Sequence, residues 1–156
     1  MLDRVYCVLN YWDGIVSGVA GYRGEKYYFE RIFDDLKDDW SDEYNLTYLN
    51  DDIFLLELEN WRYWRLWKTR WSKDEIPKIP HPLEYKKLRE TTSYEEIVKN
   101  CENKSEKIWR LTEQNYQNDL IIDRYLKERE PSLKLKGVFI RENIEGNKTK
   151  IKWSSL

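Results

Sequence analysis

The sequence predicts an α+β fold: an antiparallel β-sheet packed against helices on one face. Three observations lead there. Strand-like runs separated by turn dipeptides fill the first 49 residues. A tryptophan-rich stretch at 53–71 (IFLLELENWRYWRLWKTRW) repeats its apolar residues at helical spacing. Two further strand-like runs close the chain after a proline-terminated helical pattern. The order reads β-β-β-β-α-α-α-β-β. With 156 residues, a single α+β domain over 1–156 is expected, large enough to bury a substantial core.

Residues 4–10 (RVYCVLN) carry β-branched and aromatic residues without a breaker and form the first strand. The Tyr11-Trp12-Asp13-Gly14 stretch turns the chain, Asp-Gly being a strong turn dipeptide. Residues 15–22 (IVSGVAGY) are a second strand whose small residues Gly18, Ala20 and Gly21 let a backbone or a large ring approach closely. Arg23-Gly24 turns the chain again. Residues 25–33 (EKYYFERIF) make a third strand that places Tyr27, Phe29 and Arg31 on one face, which completes a meander. An acidic loop over 34–43 follows, and 44–49 (YNLTYL) is a short fourth strand.

In the 53–71 helix, Ile53, Leu56, Trp64, Trp67 and Trp71 fall on one stripe, with Trp61 and Tyr63 at its edges. Glu57 and Asn60 project into that stripe, so each must be paired, or in the case of Glu57 protonated. A strand arginine is the expected partner of Glu57. Asn50 or Asp51 suits the N-cap, and Asp51 and Asp52 suit the positive end of the helix dipole. Three prolines within 77–82 hold the chain extended. A second helix starts near Pro82. Ser93-Tyr94-Glu95-Glu96 has the capping-box pattern of a third. Residues 105–130 form a long helix that Pro131 ends. Strands at 133–141, with a bulge expected at Gly137, and at 148–153 form a hairpin through 143–147. That hairpin can join the N-terminal sheet.

Composition excludes several classes. No stretch approaches the length of a membrane span, and the opening residues have no signal-peptide layout, so a cytoplasmic protein with no membrane partner is expected. Cys7 and Cys101 show no metal or redox spacing. Two buried free thiols are the default, and a disulfide stays open. His81, the single histidine, is flanked by prolines. That argues against a histidine triad or zinc site, and a structural loop role is expected. No phosphate-loop, dinucleotide or nucleophile-elbow motif is present. No catalytic residue, metal or cofactor is assigned, and an enzyme is the less favoured reading.

Two clusters are candidate sites. Asp13, Gly14, Ser17 and Gly18 combine a carboxylate, a hydroxyl and flexible backbone in one turn. With Glu57 and Trp61 they outline a ligand pocket between the first hairpin and the tryptophan helix. The acidic stretch, with Asp34, Asp35, Asp38, Asp39 and Trp40, suits a basic protein partner. It lacks the spacing of a calcium loop. Charge divides along the chain. Residues 1–60 hold 5 Lys and Arg against 14 Asp and Glu, a net of −9, and the remainder holds 22 against 15, a net of +7. Either the two halves pack together and neutralise each other, or one face meets a partner. Nucleic-acid binding through the arginines interleaved with tryptophans at 62–70 ranks last, given the acidic first half.

The strings YWDGIVSGVAGYRGEKYYFERIFDD, LELENWRYWRLW, HPLEYKKLRE and KIKW, in that order, resemble a family of uncharacterised bacterial proteins. That family has a YDGxxSG-type N-terminal hairpin, a WxxW helix and a C-terminal RW strand. The sequence departs from the pattern at Gly14-Ile15, where the family has Gly-Pro, and at Glu25-Lys26-Tyr27, where it has Lys-Pro-His. The resemblance implies a free-standing bacterial domain in which Asp13, Gly14, Ser17, Gly18, Trp61 and Trp64 are structurally tied together. It supplies no activity. A non-enzymatic binding protein of the immunity or regulator kind, monomeric or homodimeric, is the expected function. A carboxylate-dependent enzyme or small-ligand binder is the alternative.

Overall fold

A computed structural model describes residues 1–11, 14–72, 81–99, 106–142 and 148–156. Six strands and four helices are described: β1 (Asp3–Tyr11), β2 (Ile15–Tyr22), β3 (Glu25–Asp34), β4 (Asp39–Tyr48), α1 (Asp51–Ser72), α2 (Pro82–Thr91), α3 (Tyr94–Lys99), α4 (Glu106–Lys127), β5 (Leu133–Glu142) and β6 (Lys148–Ser154). The fold is α+β and its strands are antiparallel. The chain divides into two compact units, a barrel unit (1–58 with 125–156) and a helical unit (59–124), and the division falls within both long helices.

In the barrel unit the C-terminal hairpin does join the meander. β5 pairs with β4, β6 pairs with β1, and the sheet closes in the order β1-β2-β3-β4-β5-β6. Closure leaves no edge strand to be covered. Period-two alternation sends Phe29, Tyr44, Leu46, Leu135, Ile151 and Trp153 into one core cluster. Phe29 makes ring contacts with Tyr44, Phe139 and Trp153 at 5.9, 5.6 and 6.1 Å.

Two glycines are there for space. A Cβ on Gly18 would stand 2.2 Å from the Cys7 carbonyl oxygen and 2.8 Å from the Phe29 ring. At Gly137 the structure corrects the expected bulge: β5 and β6 pair without a register shift from Lys136↔Ser154 to Glu142↔Lys148. The glycine accommodates the Trp153 ring, 2.8 Å from where a Cβ would sit. That indole donates to the Gly21 carbonyl at 3.0 Å. The Arg23-Gly24 turn has positive φ at both residues (49° and 81°), as a two-residue hairpin requires.

The acidic loop is shorter than expected. β4 begins at Asp39, because Phe33↔Trp40 and Asp34↔Asp39 extend the β3–β4 ladder and the two rings pack edge-to-face at 5.2 Å. α1 starts where a cap is expected: Asn50 Oδ1 accepts from Ile53 N at 2.9 Å. Its first two turns pack within the barrel unit, with Phe54 edge-on to Tyr6 at 4.9 Å.

In the helical unit, Tyr85, Ile97 and Trp109 form the buried cluster, with Trp67, Tyr94 and Tyr116 packed against it. The buried line along α1 is Ile53, Glu57, Asn60 and Tyr63, while Trp61, Trp64 and Trp67 flank it half-buried. His81 caps α2, its Nδ1 accepting from Leu83 N at 3.1 Å, and lies edge-on to Trp64 and Trp67 at 4.8 and 4.9 Å. Ser93 caps α3.

Candidate functional site

The same alternation that fills the barrel carries its inward rows out to polar residues. On β3 the row Tyr27, Phe29 ends in Arg31, and on β5 the row Leu135, Gly137, Phe139 ends in Arg141. Both arginines line an open cavity of about 440 Å³, with Tyr11, Gly14, Ile15, Tyr44, Phe139 and Thr149 among its walls. The volume lies within the range of small-molecule pockets. Phe139 and Tyr44 also contact each other, at 5.8 Å between rings, so the barrel core is the cavity's floor.

Backbone holds the guanidinium of Arg31. Its Nε donates to the Ser41 carbonyl at 2.6 Å, and Ser41 is fixed in turn by its Oγ donating to the Ile32 carbonyl at 2.7 Å. The terminal nitrogens point at Gly14, where a Cβ would stand 3.4 Å from Nη1. Gly14 has φ +113°, a conformation that L side chains rarely adopt, so the backbone favours glycine there. The described residues contain two ion pairs, Lys86–Asp123 and Arg89–Glu113, and neither involves a cavity residue. Among the described residues, no carboxylate lines the cavity. Burial raises the pKa of the Tyr44 phenol, Arg31 opposes the shift and Asp42 adds to it, so Tyr44 stays protonated and able to donate.

The structure distributes the predicted site residues unevenly. Gly14 lines the cavity, and Asp13 lies outside the described residues. Ser17 and Gly18 are buried in β2. Glu57 is buried in the barrel unit. Burial first, and the Glu57 charge second, push the Cys7 thiol up, which keeps it protonated and unreactive. Trp61 belongs to the helical unit and is half-buried. In the acidic hairpin, Asp34 is occupied by the turn, its Oδ1 accepting from Leu36 N at 3.0 Å and Lys37 N at 3.3 Å. Asp39 accepts from Trp40 N at 2.7 Å. Asp35 and Asp38 are exposed, and Leu36 between them is 99% exposed. Arg31, Arg141, Tyr11, Tyr44 and Thr149 carry no motif that marks them as site residues in the sequence. The available signal was Arg31 on the same strand face as Phe29.

A second polar cluster lies inside the helical unit. Asn60 Nδ2 donates to Asp119 Oδ1 at 2.8 Å, Asn118 Nδ2 donates to Asn60 Oδ1 at 3.1 Å, and Gln114 Nε2 donates to Asn118 Oδ1 at 2.8 Å. Burial, reinforced by Asp123 and opposed by Lys86 and Asn60, pushes Asp119 up to about 6. Nearby, Tyr85 and Gln117 donate to Glu113, and Arg89 pairs with it at 2.9 Å. Burial would raise the Glu113 pKa, but these three partners hold it below the usual range. These groups satisfy one another, so the cluster serves the packing of the unit.

Comparison adds no relative. No protein-family model matches the chain, no curated protein matches its sequence, and no solved structure matches its fold. Among the described residues, no helix is long and apolar enough to cross a membrane.

Proposed function

We propose that this chain is a non-enzymatic binding protein and that its ligand is a small anion held in the mouth of the barrel. One observation carries the reading: Arg31 and Arg141 line a single cavity in which, among the described residues, no carboxylate neutralises them. Guanidinium groups recognise carboxylate and phosphate through paired N–H donors. The Tyr44 hydroxyl, the Tyr11 ring and the Thr149 hydroxyl add polar contacts around an aromatic floor. Among the described residues the lining is arginine, tyrosine, threonine and apolar side chains, a set suited to holding an anion.

Calorimetric titration with inorganic phosphate, a nucleoside monophosphate, a dicarboxylate and benzoate tests this. At least one is expected to bind, and Arg31→Gln and Arg141→Gln are each expected to weaken it about tenfold or more. No heat with any of the four, or unchanged affinity in both variants, overturns the reading. A second reading has one observation behind it. The fully exposed Leu36 between Asp35 and Asp38 suits a basic protein partner with an apolar contact point. Reversing Asp35 and Asp38 to lysine would then abolish capture of that partner.

A further inference from the structure

The outer face of the β5–β6 hairpin is cationic. Because Leu135, Ile151 and Trp153 point into the barrel, alternation turns Lys134, Lys136, Val138 and Ile140 outward on β5, and Lys150, Lys152 and Ser154 outward on β6. Lys134, Lys136 and Lys152 are exposed and Lys150 is half-buried. Arg4, exposed on β1, sits opposite Lys150 in the ladder and extends the strip across a third strand. None of these five cations is in an ion pair among the described residues. Glu43 stands across from Lys136 in the ladder, and Asp3 precedes Arg4 on β1. Val138, 61% exposed on this face, also lines the cavity, so strip and mouth meet there.

We infer that this strip and the mouth together take a single-stranded nucleic acid. The phosphates would lie along Lys134, Lys136, Lys150, Lys152 and Arg4, and one nucleotide would enter between Arg31 and Arg141. The inference rests on the anion-binding reading of the mouth and extends it from a small anion to a polymer. Successive outward residues on a strand are about 7 Å apart, so the cations form a regular row rather than a point. Single strands bind through such rows with bases stacked on aromatic rings. Tyr11, 68% exposed at the mouth, provides such a surface, and the half-buried Phe139 ring lies on the cavity floor. An unpaired base can enter the cavity, whereas a base inside a duplex is already stacked and paired.

The experiment is fluorescence anisotropy with labelled single-stranded oligothymidylate and oligouridylate, the matching duplex, and phosphatidylglycerol vesicles. Binding to a single strand is expected at low salt. If about four phosphates are neutralised, a fourfold rise in salt weakens it about fifty-fold. The double variant Lys136→Glu/Lys152→Glu, at exposed positions that leave the core intact, is expected to lower affinity at least tenfold and flatten the salt dependence. The control Lys87→Glu/Lys107→Glu in the helical unit is expected to change neither. No oligonucleotide binding at low salt, equal loss in the control, or binding to vesicles alone overturns the inference. If a mononucleotide binds in an Arg31-dependent way but the oligomer binds no tighter, the strip is wrong and the mouth stands. If the oligomer binds through the lysines and neither Arg31→Gln nor Arg141→Gln matters, the strip stands, while the combined site and the reading of the mouth both fall.

Discussion

The two units are built on opposite interior chemistry. The barrel interior is a cluster of apolar residues and rings whose polar atoms are few: the Trp153 indole is tied to one carbonyl, and the arginines appear only where the strands run out. The helical unit buries Asn60, Thr112, Asn115 and Asn118 along facing sides of α1 and α4, and joins Tyr63 to Thr112 at 2.7 Å. Area burial stabilises the first with little demand on direction. Hydrogen bonds specify the register of the second and penalise any partner that is removed. The difference also separates function from structure. The helical unit's part-buried carboxylates Glu113 and Asp119 are held by hydrogen bonds, and Glu113 by Arg89 as well, whereas the barrel's mouth arginines have no counter-ion among the described residues.

Substitutions sharpen this contrast, and the largest effect is expected in the barrel. Phe29→Ala removes the ring at the centre of the cluster and should cost about 4 kcal/mol in denaturant unfolding. Gly18→Ala should cost about 3 kcal/mol, since the new methyl meets a backbone carbonyl that has nowhere to go. In the helical unit an apolar replacement should also destabilise. Asn60→Leu leaves the Asn118 amide and Asp119 without their partner, at about 2–3 kcal/mol. If Asn60→Leu proved neutral, the proposed contrast between the two interiors would be lost.

Asp119 gives a pH test of the same contrast. Its folded pKa is raised, so the folded state binds the proton more tightly than the unfolded state. Its contribution is fully present below the ordinary carboxylate value of about 4 and is lost as pH rises through about 6. Glu113 has the opposite sign: its pKa is lowered, so its contribution is present above the ordinary value and is lost on acidification. The two place the helical unit's greatest stability near about pH 4, with a loss on the alkaline side that is complete above about pH 6 and a loss on the acid side from Glu113. Asp119→Asn should remove the loss on the alkaline side and stabilise the protein at neutral pH by on the order of 2 kcal/mol. A variant whose thermal unfolding keeps the wild-type pH profile would show that another group is responsible. The smallest expected effect is at the mouth. Arg31→Gln should change stability by about 0.5 kcal/mol or less, because the residue is half-buried and unpaired by charge, while ligand binding falls.

The class of fold, the Arg23-Gly24 turn and most strand and helix positions were legible in the sequence because they rest on local signals. Alternation over 25–33, Arg23-Gly24, the Asn50 and Ser93 caps and the buried polar pair Glu57 and Asn60 all act within a few residues. The extension of β4 back to Asp39 was not legible, since acidic residues read as a loop until Trp40 is seen to have Phe33 across the ladder. Gly137 read as a bulge because a sequence does not reveal which ring needs the space. The candidate site was legible only at Gly14. Arg31 and Arg141 are 110 positions apart, and neither has a motif. They share a cavity because the barrel closes: β5 pairs with β4 and β6 with β1, pairings that depend on long-range registers. By itself the sequence determined the two faces of the third strand and where the helices begin. Only the tertiary structure decided which inward rows end at a common mouth, because ring closure is set by hydrogen bonds between segments far apart in the chain.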